Sequence, residues 1–283
     1  MQNIIACIDE STWSTSVEDA AIWAAGQLNS PLMFLHIIEK QAQASLTDLS
    51  GAIGLGAHAK LMTEIATLDQ MRAKVALELG KELLENAQSK AQQAGCKQIE
   101  TVQRHGAFID TLLSLEDTAR LVIVGHSGTK TGKKINVLGS HVESLLRQIH
   151  TPVLITPHDF TAPKSFMLAY DGREVTELAI QRILDSDLLR GLDCHLVTVK
   201  NRQPDQEEKF ARATERLTAG GFAVTASYLE GEISKQLLSY QQENSIDLLV
   251  MGAFSGSRLR QFFIGSNTIM MLESCNIPIM VVK

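Results

Sequence analysis

Short apolar runs alternate along the whole chain with longer segments whose apolar residues recur every three or four positions. The short runs read as strands buried on both faces and the longer segments as amphipathic helices. In the first half the pattern predicts strands near Asn3–Ile8, Pro31–Ile37, Gln98–Arg104, Leu121–Val124 and Val153–Ile155. Helices are expected between them, near Ser16–Asn29, Leu61–Ala94, Phe108–Thr118 and Ser140–Gln148. The second half repeats this order, with strands near Ser165–Tyr170, Asp193–Val199, Ala223–Leu229, Leu248–Met251 and Ile279–Val282. Its helices fall near Glu174–Asp185, Asp205–Ala219, Ile233–Asn244 and Ser266–Ser274. Strands separated by helices pair in parallel through right-handed crossovers, so the fold class is α/β and doubly wound.

The repetition extends to individual residues. Leu121-Val122-Ile123-Val124-Gly125 matches Leu248-Leu249-Val250-Met251-Gly252, and each is followed by a Gly/Ser-rich loop. A Gly-Ser pair comes next in both halves (Gly139-Ser140 and Gly265-Ser266), then a helix and an apolar strand after a proline, Pro152 or Pro278. Each half also opens on an apolar strand that ends in Asp, at Asp9 and Asp171. Such an ordered recurrence marks a duplication, and it implies two sheets rather than one large one. The polar segment Pro157–Pro163 supplies the boundary, giving domains over 1–158 and 164–283. The first half is the longer because it carries an insert, the Gly-rich run Asp48–His58 and a long Ala/Leu/Glu/Lys-rich helix.

Composition narrows the function. At 283 residues with 45% apolar and 20% charged residues, the chain has the balance of a globular protein of two ordinary domains. Aromatics at 5% leave Ala, Leu, Ile and Val to build the core, which suits helices on a parallel sheet. A formal charge of −6 argues against a general nucleic-acid binder. Met1 leads directly into a short apolar run ending at Asp9, unlike a signal peptide, and no apolar stretch approaches membrane-spanning length. Cys7, Cys96, Cys194 and Cys275 form no CxxC pair and read as reduced structural thiols, which suits a cytoplasmic address. The eight His show no metal-ligand spacing.

In an open α/β sheet, ligands settle beyond the carboxyl ends of the strands where strand order reverses. Asp9 and Asp171 stand at one side of that point in each half, and Gly125 and Gly252 at the other. A bare glycine lets backbone approach a phosphate, and the amides of a helix starting at Ser140 or Ser266 favour an anion. Each element also has a plain reading: Asp as a turn or cap residue, Gly as a turn, and Gly-Ser as a helix cap. Their joint recurrence favours a nucleotide.

These residues resemble the universal stress protein family. Its ATP-binding members carry a glycine, a second glycine after two residues, and, after nine more, a glycine followed by Ser or Thr. The second half reads Gly252-Ala253-Phe254-Ser255-Gly256 and then Gly265-Ser266-Asn267-Thr268, so that Ser255 takes the middle glycine position and Gly256 comes one place late. The first half reads Gly125-His126-Ser127-Gly128, with ten residues rather than nine before Gly139-Ser140. Phe34-Leu35-His36-Ile37 and Leu196-Val197-Thr198-Val199 look like the family's second strand. The resemblance implies, for each half, a five-stranded parallel sheet of Rossmann-like, adenine nucleotide alpha hydrolase-like type, the two paired through their last strands. It implies that Asp9 and Asp171 hold the ribose or adenine side, Ile37 and Val199 lie against the base, and Val124 and Met251 line the floor with the glycines after them. Gly139-Ser140 and Gly265-Ser266, with Asn267 and Thr268, would take the phosphates of ATP or another adenine nucleotide, with or without Mg²⁺. The second copy is the better preserved there, since Thr268 supplies a hydroxyl where the first has Val142.

Other readings compete. Gly128-Thr-Lys-Thr-Gly132-Lys133-Lys134 imitates a P-loop, but has three residues between its glycines and Lys134 where Ser or Thr belongs. Lys130, Lys133 and Lys134, like Arg258 and Arg260, either attract phosphate or form a solvated loop. Gly54-Leu-Gly56-Ala-His-Ala59 imitates a dinucleotide fingerprint without the preceding strand and is expected to be a flap over the first pocket. No His or carboxylate stands out as a general base, and neither an SGGxDS loop nor an HxGH motif is present. The expected role is regulatory binding of ATP or AMP in a stress response, with at most slow hydrolysis. The alternative is a nucleotide-free tandem scaffold acting through protein contacts. The implied partners are a nucleotide and an unidentified protein, with no nucleic acid or membrane, in an internal pseudo-dimer that is also free to homodimerise.

Overall fold

The computed structural model describes residues 2–39, 55–127, 140–201, 205–252 and 266–283. The first half runs β1 (Asn3–Cys7), α1 (Ser14–Leu28), β2 (Leu32–Ile38), α2 (Leu55–Gln93), β3 (Ile99–His105), α3 (Phe108–Leu113), β4 (Ala119–Gly125), α4 (Ser140–Gln148) and β5 (Val153–Thr156). The second runs β6 (Ser165–Tyr170), α5 (Glu174–Asp185), β7 (Asp193–Val199), α6 (Gln206–Ala219), β8 (Val224–Leu229), α7 (Ile233–Glu243), β9 (Leu248–Gly252), α8 (Ser266–Ser274) and β10 (Ile279–Val282).

Two stretches depart from the sequence expectation. The helix expected over Phe108–Thr118 stops at Leu113 and is followed by a separate 3-10 turn, Glu116–Thr118. The Ser114 hydroxyl bonds back to the Thr111 carbonyl at 2.7 Å, and the Glu116 carboxylate is drawn away to the amide of Thr151 at 2.8 Å. The long helix starts at Leu55, so most of the expected Gly54–Ala59 flap is its first turns. Leu55, Ala57 and Ala59 are good helix formers, and they outweigh the roughly 1 kcal/mol that Gly56 costs inside a helix.

Strand order is β3-β2-β1-β4-β5-β10-β9-β6-β7-β8, in one ten-stranded sheet. Within each half the pairs are parallel, for example Ile5↔Met33 and Ile5↔Val122, or Leu168↔Leu196 and Leu168↔Val250. The halves meet through an antiparallel pair, with Ile155↔Ile279, Leu154↔Met280 and Val153↔Val281 in register. Two windings thus share one hydrogen-bonded sheet, which corrects the expectation of two sheets. The reason lies in β5 and β10 themselves: both are apolar and fully buried, and left open each would expose a row of unpaired amides.

Helices cover both faces. Alternate strand residues such as Ile4, Ile123, Leu168 and Val250 pack against α1, α2, α5 and α6. Their neighbours Ile5, Val122, Met167 and Leu249 pack against α3, α4, α7 and α8. Strands buried on both sides explain the unbroken apolar runs of the sequence. The order reverses between β1 and β4, and again between β6 and β9, which opens a crevice beyond the strand ends in each half.

Candidate functional site

In the second half β6 ends at Tyr170, and the chain turns at Asp171 into α5. The Arg173 amide donates to Asp171 Oδ1 at 3.0 Å, and the Thr176 hydroxyl lies 3.0 Å from the same oxygen. An Asp that accepts from the amide two residues ahead builds an Asx turn, which is the plain reading of this residue. Its other oxygen faces the Arg173 guanidinium at 3.4 Å on the half-exposed side of the crevice. The Asp171 carbonyl accepts from Asn201 Nδ2 at 3.1 Å.

The loop after β7 is fixed by one buried amide. Gln206 Nε2 donates to Thr198 Oγ1 at 2.9 Å and to the Val199 carbonyl at 3.1 Å. Its Oε1 accepts from the Asn201 amide at 2.9 Å and from the Tyr228 hydroxyl at 3.1 Å. Val199 and Asn201 are thereby held at the crevice wall.

A cavity of about 270 Å³ opens between these elements and the start of α8. Asp171, Val199, Met251, Gly252, Asn267 and Thr268, all predicted from sequence, line it together. Arg173, Val175, Thr176 and Asn201 line it too and were not predicted. One signal for Thr176 was available: a hydroxyl residue stands five positions after the Asp in both halves, as Ser14 and Thr176. Arg173 and Asn201 left no comparable trace. Tyr170 also borders the cavity, and burial followed by its bond to the Glu177 carboxylate pushes its phenol above the ordinary range. The phenol therefore stays neutral, and Arg216 closes the chain at 2.6 Å from Glu177. Among the described lining residues none is His, and the carboxylate is that of Asp171.

The first half builds the same turn with different walls. Ser11 donates its amide to Asp9 Oδ1 at 3.0 Å, and Ser14 Oγ accepts from the Asp9 amide at 2.9 Å. Ile37 lies near the end of β2, half-buried against the core that holds Val124, and Gly125 ends β4. Where the second half has Val175, the first has Trp13, whose ring centroid lies 5.9 Å from that of His126 and 5.4 Å from that of His158. His36, within the stretch resembling the family's second strand, is a buried tie: its Nδ1 is 3.1 Å from the Ile8 carbonyl.

Packing accounts for both bare glycines. A Cβ on Gly252 would stand 2.8 Å from Val175 Cγ1, and one on Gly125 would stand 2.9 Å from Trp13 Cβ. Each glycine makes room for the start of the helix that follows the first strand of its half, α1 or α5, whatever else its backbone meets. Helices α4 and α8 do begin at Ser140 and Ser266, while Gly128, Gly139, Ser255, Gly256 and Gly265 lie outside the described residues. So do the P-loop imitation and the basic residues Lys130, Lys133, Lys134, Arg258 and Arg260. Among the described residues there is no cluster of three or more potential metal ligands, and no helix is long and apolar enough to cross a membrane.

Comparison with known proteins agrees with the fold. The universal stress protein family model matches residues 1–157 and 198–283. A universal stress protein of Synechocystis sp. is 31% identical over 284 residues, covering 99% of each chain. The crystal structure of a universal stress protein from Archaeoglobus fulgidus superposes with a TM-score of 0.73 at 17% identity, covering 99% of this chain and 98% of that one. A functionally unknown protein from Pseudomonas aeruginosa gives a TM-score of 0.63 at 17% identity, over 100% of this chain and 92% of the other. Duplicated halves, the shared crevice geometry and full-length similarity lead to one assignment: the chain belongs to the universal stress protein family.

Proposed function

We propose that this family member is a regulatory protein that binds an adenine nucleotide in the second-half crevice and acts by binding rather than by catalysis. The observation that carries the reading is the convergence of Asp171, Val199, Met251, Gly252, Asn267 and Thr268 on one cavity from four separate elements. The solvent-facing Asp171 oxygen is placed to accept from ribose hydroxyls or the adenine amino group, with Arg173 able to swing outward to a phosphate. Val199 and Met251 offer apolar contact to the base. The first turn of α8 presents free amides and the positive end of its dipole to the phosphates. At about 270 Å³ the cavity takes the nucleoside part, with ATP or AMP phosphates reaching toward Ser266 and any Mg²⁺ carried on them. Among the described lining residues none is His and the carboxylate, Asp171, is engaged in its turn, which favours binding with at most slow hydrolysis.

Two structural units over 1–158 and 164–283, locked as an internal pseudo-dimer by β5 and β10, form the body that reports occupancy to a protein partner. Four free cysteines, two of them buried, suit a reducing cytoplasm. Calorimetric titration with ATP, ADP, AMP and cAMP, with and without Mg²⁺, tests the proposal. Saturable heat with at least one of them, lost in Asp171→Ala and kept in Asp9→Ala, supports it. Absence of heat with all four overturns it, and phosphate release at several turnovers per second would replace binding with catalysis.

A further inference from the structure

A different cavity, of about 240 Å³, lies at the seam between the halves, beyond the end of β5 and beside the chain leading from α8 to β10. Two of its lining residues carry buried polar atoms without a partner, His126 Nδ1 and Thr156 Oγ1. Both side chains are more than nine-tenths buried. The residues are neighbours, since the His126 amide donates to the Thr156 carbonyl at 3.0 Å. His126 Nε2 lies 2.7 Å from the Leu272 carbonyl in α8. A carbonyl only accepts, so Nε2 donates its proton there, and in that tautomer Nδ1 presents a lone pair.

Leaving one such atom unpaired costs about 1–3 kcal/mol, so two on residues that line one cavity call for an occupant that bonds them. The remaining wall selects what kind. Ile155, Ile277 and Ile279 supply apolar surface, and Trp13 supplies an aromatic face. Asp159 and Glu273 at the same cavity oppose an anion. The space exceeds the roughly 150 Å³ that suffices for benzene.

We propose that this seam cavity is a second ligand site for a small uncharged planar heterocycle, whose N–H is donated to His126 Nδ1 and whose edge meets the Thr156 hydroxyl. Both polar atoms are closed off from solvent, so side chains of the cavity wall must shift to admit the ring. The site bridges the glycine-bearing end of β4 and helix α8, whose first turn lines the nucleotide crevice. It is nonetheless independent of that crevice and stands if no nucleotide binds.

Benzimidazole is the probe, at neutral pH, with naphthalene and benzoate as controls lacking the N–H donor or the neutral charge. Trp13 fluorescence is read in Trp23→Phe, and the ¹⁵N resonances of His126 in the unaltered protein. The expected result is saturable quenching with benzimidazole alone, together with a His126 Nδ1 resonance that moves from the free lone-pair position to the hydrogen-bonded one. Thr156→Val is expected to weaken binding about tenfold, as loss of one hydrogen bond does. His126→Phe is expected to abolish it, and Asp171→Ala to leave it unchanged. No saturable signal, equal binding of naphthalene, or an unmoved Nδ1 resonance at saturation overturns the proposal. The last readout needs no variant to fold.

Discussion

The two crevices share a backbone and differ in the side chain four places after the Asp. In the first that position is Trp13, whose ring meets those of His126 and His158 within the same half; in the second it is Val175, which stands beside Gly252 and lines the crevice. Asp9 is tied into a serine-rich turn, while Asp171 keeps one oxygen toward Arg173 and the open crevice. Duplication thus preserved the turn that shapes the strand end, and divergence at one neighbouring residue gave the two crevices different walls. Trp13 lines the cavity at the seam between the halves, and Val175 lines the second-half crevice.

The comparison is most severely strained by removing the buried amide that fixes the wall of the second crevice. Gln206→Leu keeps the volume but strips four hydrogen bonds from the β7–α6 loop. Urea unfolding is expected to show a loss of about 3 kcal/mol, with the partners left buried and unpaired. Gly252→Ala forces a methyl against Val175 and is expected to cost about 1–3 kcal/mol. Pairing it with Val175→Ala restores the space, so the double variant loses less than the sum. In the first crevice Gly125→Ala meets the Cβ of Trp13, so Trp13→Phe gives no such relief.

Importing the first crevice's residue into the second sharpens the contrast. Val175→Trp is expected to weaken nucleotide binding at least about tenfold by calorimetry while thermal unfolding stays cooperative. The smallest expected effect belongs to Glu116, which the second half does not reproduce. Burial pushes its carboxyl up, but the amides of His150 and Thr151 and the His150 ring outweigh that and hold it below the ordinary value. A carboxyl lowered by folding stabilises above its unfolded pKa and loses that contribution as pH falls through the folded one. Glu116→Gln is therefore expected to cost about 1 kcal/mol at neutral pH, with the difference vanishing in acid below about pH 4.

Much of this was legible in the sequence because the fold writes itself into periodicity. Ser165–Tyr170, Glu174–Asp185, Asp193–Val199 and Ile279–Val282 fall on the residues expected, since each is a run bounded by turn residues. The β5–β10 pairing followed only from the family resemblance, because nothing in an apolar run states which edge it meets. Asp171, Met251 and Gly252 were readable as candidates through their recurrence in fixed order, and Thr268 only through the family resemblance. Arg173, Asn201 and Gln206 were not, because their roles depend on loops brought together from elements far apart in the chain. Nor did the sequence reveal that Gly125 and Gly252 yield space to Trp13 and Val175, a matter of helix approach rather than motif.

The central claim is that the second crevice, and not the first, is the one shaped for a nucleotide. Methyl NMR on protein labelled at Val, Ile and Met, titrated with AMP or ATP to saturation, tests it directly. The account predicts ring-current shifts at Val199 and Met251 that saturate together, with Ile37 and Val124 unmoved. Shifts confined to Ile37 and Val124, or none at any of the four, would contradict it.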